Sequence, residues 1–150
     1  MIDIQETKTV ILTPPQLKDD GDFAGNIYVD TQGWGHVRFL FIVGTVDEAI
    51  GSTAEGAAPF VEECDTTDGA YTAVTSAALA DAIGASEDDS LFAIDLDLTK
   101  SHKRYMEVNA PHAGNGTTGC NLAIIAILSR HSGQGPKNAA GQGLAELITA

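Results

Sequence analysis

The densest group of potential ligands in the chain is Glu63, Asp65 and Asp68, carried by the stretch ECDTTDGAYTAV at 63–74. Carboxylates at this spacing suit a hard cation such as calcium, which takes six to eight oxygens from a short loop. An EF-hand loop needs alternating oxygen ligands, a glycine at its sixth position and a bidentate glutamate at its twelfth. With Asp65 as position one, Thr67 falls at three, Gly69 at five and Ser76 at twelve, so every later ligand fails. The same residues read better as a hairpin turn. Asp68-Gly69 is a turn dipeptide, and the apolar arms around 60–64 and 71–74 are strand-like.

Other arrangements carry less. Residues 114–119, GNGTTG, match G-x-G-x-x-G. In a dinucleotide site that motif opens a helix whose N-terminus meets the pyrophosphate. Here CNLAIIAILS follows, which reads as a strand, so the glycines make a turn between antiparallel strands. His36, His102, His112 and His131 show no zinc-ligand spacing. Neither Cys64 nor Cys120 lies in a nucleophile context or a C-x-x-C pair, and both are expected reduced and partly buried. Trp34, between two glycines, would stack on a sugar if exposed, although an aromatic at a strand entry more often serves a core or an interface. No catalytic residue, cofactor or metal is expected.

Composition narrows the class. A chain of 150 residues can bury roughly 70% of its unfolded surface as one domain, so no metal or disulfide is needed to hold it. Its formal charge of −13 comes from acids scattered along the whole length, which disfavours binding to nucleic acid phosphate. The one basic cluster, Lys100, His102, Lys103 and Arg104, reads as a solvated loop entering a strand. The first residues carry acids where a signal peptide needs basic ones, and no run of about 18 apolar residues occurs. Synthesis in a cytoplasm, with no membrane contact, is the expectation.

The elements that position these residues are strands. Residues 8–13 form a β-branched run that Pro14-Pro15 should stop, and residues 26–30 and 36–43 read as a hairpin about 32–35. HVRFLFIV at 36–43 is apolar on both faces. Val37, Phe39, Phe41 and Val43 point one way, Arg38, Leu40 and Ile42 the other, and a single core covers only one set. A short helix is expected over 76–83, stopped by Gly84. Phe92, Ile94, Leu96 and Leu98 alternate with Ala93, Asp95 and Asp97, the pattern of a half-buried strand, and 103–109 should pair with it across 99–102. Residues 120–129 make a last apolar strand. About eight short strands indicate an all-β, antiparallel β-sandwich of jelly-roll type. The body spans 26–130, with an N-terminal strand or arm at 1–25 and a flexible, glycine-rich C-terminal arm at 131–150.

The succession DTQGWGHVRFLFIVGTVDEA, FVEECDTTDGAYTAV, SLFAIDLDLTKSHKRYMEV and, after a Gly/Asn loop, LAIIAILSR resembles the small head decoration, or cement, proteins of tailed bacteriophages over residues 26–130. The resemblance implies a virion structural protein, not an enzyme. Such a protein is made in the host cytoplasm, sits on the outer capsid surface, commonly as a trimer, and clamps neighbouring subunits of the major capsid protein. It supplies no functional residues. Those expected at contacts come from the pattern: Thr9, Val10, Ile11 and Leu12 as an unpaired strand; Trp34; Arg38, Leu40 and Ile42; Lys103 and Arg104; and Leu144, Leu147 and Ile148 as an apolar face after a flexible spacer. The rival reading is a sandwich module for carbohydrate or receptor on a phage particle, which needs an exposed aromatic platform from a supply of nine aromatics.

Overall fold

A computed structural model describes residues 6–19, 21, 23, 27–51, 58–112, 119–131 and 140–145. Eight strands account for most of it: β1 (Lys8–Lys18), β2 (Val29–Asp30), β3 (Trp34–Val43), β4 (Phe60–Cys64), β5 (Thr72–Ala78), β6 (Leu91–Asp97), β7 (Tyr105–Asn109) and β8 (Cys120–His131). They form two antiparallel four-stranded sheets, ordered β1-β8-β3-β6 and β2-β7-β4-β5. Each strand neighbours the one that mirrors it in chain order: β1 with β8, β2 with β7, β3 with β6, β4 with β5. A hairpin folded over on itself gives that order, and it is the jelly-roll sandwich expected from the sequence.

The period-2 pattern is why these segments pair as they do. Val37, Phe39 and Phe41 of β3 and Leu122, Ile124, Ala126 and Leu128 of β8 turn inward, and each is essentially inaccessible. Val29, Val61, Met106 and Val108 meet them from the second sheet. Truncating a buried phenylalanine costs about 3–5 kcal/mol, comparable with the roughly 5–15 kcal/mol that holds a whole domain folded. The packing of Phe39 and Phe41 therefore fixes how the sheets face each other. Phe23, Val46, Ile50 and Ile83 close one end of this core, with Ile50 exchanging backbone hydrogen bonds with Ile83.

Four sequence expectations are corrected. Residues 26–30 and 36–43 are not a hairpin: β2 and β3 lie in different sheets, and the turn at 31–33 carries the chain across the sandwich. Likewise β7 does not pair with β6 but with β2 and β4. No helix forms over 76–83. Ser76 lies inside β5 with φ +63°, at a register shift against β4, and only a single 3₁₀ turn follows at Ala85–Glu87. Pro14-Pro15 does not stop β1, which passes through both prolines with register shifts at Ile11/Thr13 and Thr13/Gln16. An edge strand at an irregularity tolerates proline because no ladder donor is required there.

The two ends of the sandwich differ. Short connections, 31–33, 65–71 and 98–104, converge at one end, beside the last residues of β8 and the start of β1. The described residues of the long ones gather at the other, where Phe23 bonds Ala110 and Ile50 bonds Ile83.

Candidate functional site

The outer face of the sheet β1-β8-β3-β6 is apolar. Its pairings set Ile11, Ile125, Leu40 and Ala93 in one row across all four strands, and Ala123, Ile42 and Leu91 in the next. At strand spacings of about 4.8 Å the first row runs roughly 15 Å and the second roughly 10 Å. Ile11 is 55% exposed, Leu17 59%, Ile42 42% and Leu91 66%. Isolated aliphatics on a surface mean little, but several in register on one flat face form a patch of the kind that marks a contact. One row further along, Arg38 grips Asp95 with two hydrogen bonds, 2.9 Å at Nε and 2.8 Å at Nη2, and holds that carboxyl below its usual range. The pair is solvent-exposed, so its worth is small, yet it presents the patch with a neutral border.

A polar hollow of about 390 Å³ lies where the short connections converge. Thr31, Gln32, Gly33 and Trp34 contribute from the β2–β3 turn, Asp65 from the β4–β5 turn, and Leu98, His102, Lys103 and Arg104 from the β6–β7 connection. Its walls are braced. The Thr31 amide and hydroxyl both donate to the Arg104 carbonyl, at 3.0 and 2.7 Å, and the Trp34 amide donates to the Thr31 carbonyl. Glu63 points toward the same end, where its carboxylate accepts from the Lys103 amide and meets His102 Nδ1, both at 3.1 Å. Arg104 forks onto Asp30 at 2.9 and 2.7 Å, lowering that carboxyl, and lies 4.9 Å from the Tyr105 ring. Trp34 packs against the core and meets His131 edge-on at 4.8 Å.

Residues 65–71 form a turn between β4 and β5, with Glu63 and Thr72 in register. Gly69 is required there for space: a Cβ would stand 2.6 Å from both Cys64 Sγ and Thr66 Oγ1. Among the described residues, no three His, Cys, Asp or Glu side chains gather as a cation site.

The residues expected at contacts divide into several groups. Ile11, Leu40 and Ile42 share the apolar face, with Arg38 at its border. Trp34, Lys103 and Arg104 come together in the hollow. Leu12 is buried in the core, Val10 packs against it, and Thr9 pairs with Ile127, so residues 9–12 are a built-in edge strand and not an unpaired one. Leu144 is exposed beside a turn at 140–143 that docks on β1, where the Thr9 amide donates to the Gln142 carbonyl at 2.7 Å. Leu147 and Ile148 lie outside the described residues, as do most of the 114–119 motif and much of both arms. Leu17 and Leu91 were missed. Leu91 shares its parity with Ala93, Asp95 and Asp97, so an apolar residue on a nominally polar face was the available signal. Gln32 carried none, and neither the carboxylate cluster that includes Asp65 nor the basic cluster that includes His102 pointed to the hollow, which forms only where three connections meet.

Comparison of the sequence with protein-family models and with curated proteins gives no match.

Proposed function

We propose that the protein is a non-enzymatic structural component of a tailed-phage particle, binding the outer surface of the capsid and stabilising contacts between major capsid subunits. The observation that carries this reading is the apolar outer face of β1-β8-β3-β6, where Ile11 stands exposed in one row and Ile42 with Leu91 in the next. A folded jelly roll gains nothing from aliphatic side chains in water on a flat sheet, whereas burying them against a protein surface is favourable at about 25 cal/mol per Å². The resemblance of residues 26–130 to decoration proteins supplies the partner, and self-association as a trimer supplies the valency by which modest contacts add on a repeating shell.

Cosedimentation with expanded tailed-phage heads stripped of their own decoration tests it. The protein should pellet with heads, and the double substitution Ile42→Lys, Leu91→Lys should leave it folded and in the supernatant. Both side chains are exposed, so the core is untouched. Retention of the wild type in the supernatant refutes the capsid reading, and undiminished binding of the double variant refutes the assigned face.

A further inference from the structure

We propose that the hollow at the short-loop end is a binding site for a neutral sugar, a function separate from docking through the sheet face. Its volume of about 390 Å³ lies within the range of small-ligand sites. The decisive feature is which of its groups are already engaged. Arg104 is neutralised by its two-pronged pair with Asp30, and His102 is turned to Glu63. Lys103 spends one ammonium proton on the Thr72 hydroxyl at 3.0 Å and keeps two. Neither the Gln32 side-chain amide nor the Asp65 carboxylate has a partner among the described residues.

The free groups are thus one ammonium, one carboxylate and one amide, balanced in charge and offering donors and acceptors together. An anionic ligand would meet Asp65, and a cationic one would meet Lys103. A sugar hydroxyl suits both, since each donates one hydrogen bond and accepts two. Trp34 also lines the hollow, an aromatic of the type that packs on the apolar C–H face of a pyranose ring. Because the backbone bonds of Thr31, Trp34 and Lys103 hold the walls in place, little ordering accompanies binding.

Two-dimensional ¹H–¹⁵N NMR of the whole chain provides the test, with methyl glucoside, methyl galactoside and methyl mannoside as probes and N-acetylneuraminic acid as the anionic comparator. At least one neutral glycoside should shift the Trp34 indole N–H and the Gln32 side-chain amide saturably, with affinity on the order of millimolar. Gln32→Ala and Asp65→Ala should each weaken it about tenfold. Both side chains are exposed and have no partner among the described residues, so the remaining spectrum should persist and report an intact fold. The sheet-face variant Ile42→Lys, Leu91→Lys should bind the sugar as the wild type does, which separates this site from the capsid reading. Absence of any shift at about 50 mM glycoside, a response confined to the anionic sugar, or shifts that survive both loop substitutions would each overturn the proposal.

Discussion

Glu62 and Glu107 stand directly opposite each other in β4 and β7, a like-charge pair in register. Burial raises the Glu107 carboxyl above its ordinary range, and the charge of Glu62 raises it further. Tyr71 nearby is pushed up to about 12, by burial first and then by Glu107, and its buried hydroxyl has no partner among the described residues. A carboxyl that holds its proton more tightly in the fold than in the unfolded chain stabilises the fold as pH falls through its raised value. Asp30 and Asp95 work in the opposite sense. Arg104 and Arg38 hold them low, so their contribution is present above the ordinary aspartate value of 3.8 and is lost below it. The melting temperature should therefore rise on acidification from about pH 7 to about pH 5, then fall below about pH 4. Relief of repulsion among the net −13 charges acts in the same direction, so a substitution is needed to isolate Glu107. Glu107→Gln should stabilise the protein at pH 7 by about 0.5 kcal/mol, a value kept small by solvent screening, and flatten the acid-side rise. An unchanged profile in calorimetry would show that the pair is relieved by solvent alone.

Edge strands expose unpaired backbone groups that invite unwanted pairing, and β1 is such an edge. Part of it is covered by the turn at 140–143 through the Thr9 to Gln142 hydrogen bond. Gly143 permits that approach: its φ is +76°, and a Cβ would overlap the Thr9 carbonyl. Gly143→Ala should lift the turn and speed hydrogen exchange of the Thr9 amide about tenfold, while β8 amides stay protected, because a single hydrogen bond of about 1 kcal/mol is released. Unaltered exchange at Thr9 would mean that the turn does not shield the edge. The strands themselves were legible in the sequence because alternation in segments such as 91–98 reports a half-buried strand directly. Their partners were less so. Alternation says nothing about which sheet a strand joins, so 26–30 with 36–43, and 91–98 with 103–109, read as local hairpins although the jelly roll sends each second member across the sandwich. The apolar face was half legible, since the two-sided pattern of β3 exposed Leu40 and Ile42, whereas Leu17 emerges only after the register shifts around Pro14-Pro15. Of the hollow, Trp34, Lys103 and Arg104 were legible as contact residues, whereas their meeting with Gln32 and Asp65 is set solely by topology.

Charge is unevenly spread over the molecule. The described long connections carry Asp19, Asp47, Glu48, Asp81, Glu87, Asp88 and Asp89 at one end, while at the other Lys100, Lys103, Arg104 and Arg130 are interspersed with Asp30, Glu63, Asp65, Asp68 and Asp97. Two chains of net charge −13 repel at long range, whatever surfaces they bring together. The outer face of β1-β8-β3-β6 offers aliphatic rows bordered by an internally paired Arg38 and Asp95, so its attraction is apolar and short-ranged. Raising salt from about 0.1 M to about 1 M shortens the screening length from about 10 Å to about 3 Å, removing the repulsion while leaving burial of the aliphatics intact. Off the capsid, where this face is uncovered, self-association through it should accordingly strengthen with salt. Sedimentation velocity at micromolar concentration should show species heavier than the 15.6 kDa chain becoming more populated in 1 M than in 0.1 M sodium chloride. The variant Ile42→Lys, Leu91→Lys should remain a monomer in both, because each lysine would desolvate a charge inside the contact. Association that weakens with salt would instead assign the contact to ion pairs, and the cations of the short-loop end, Lys100, Lys103 and Arg130, would be where to seek it.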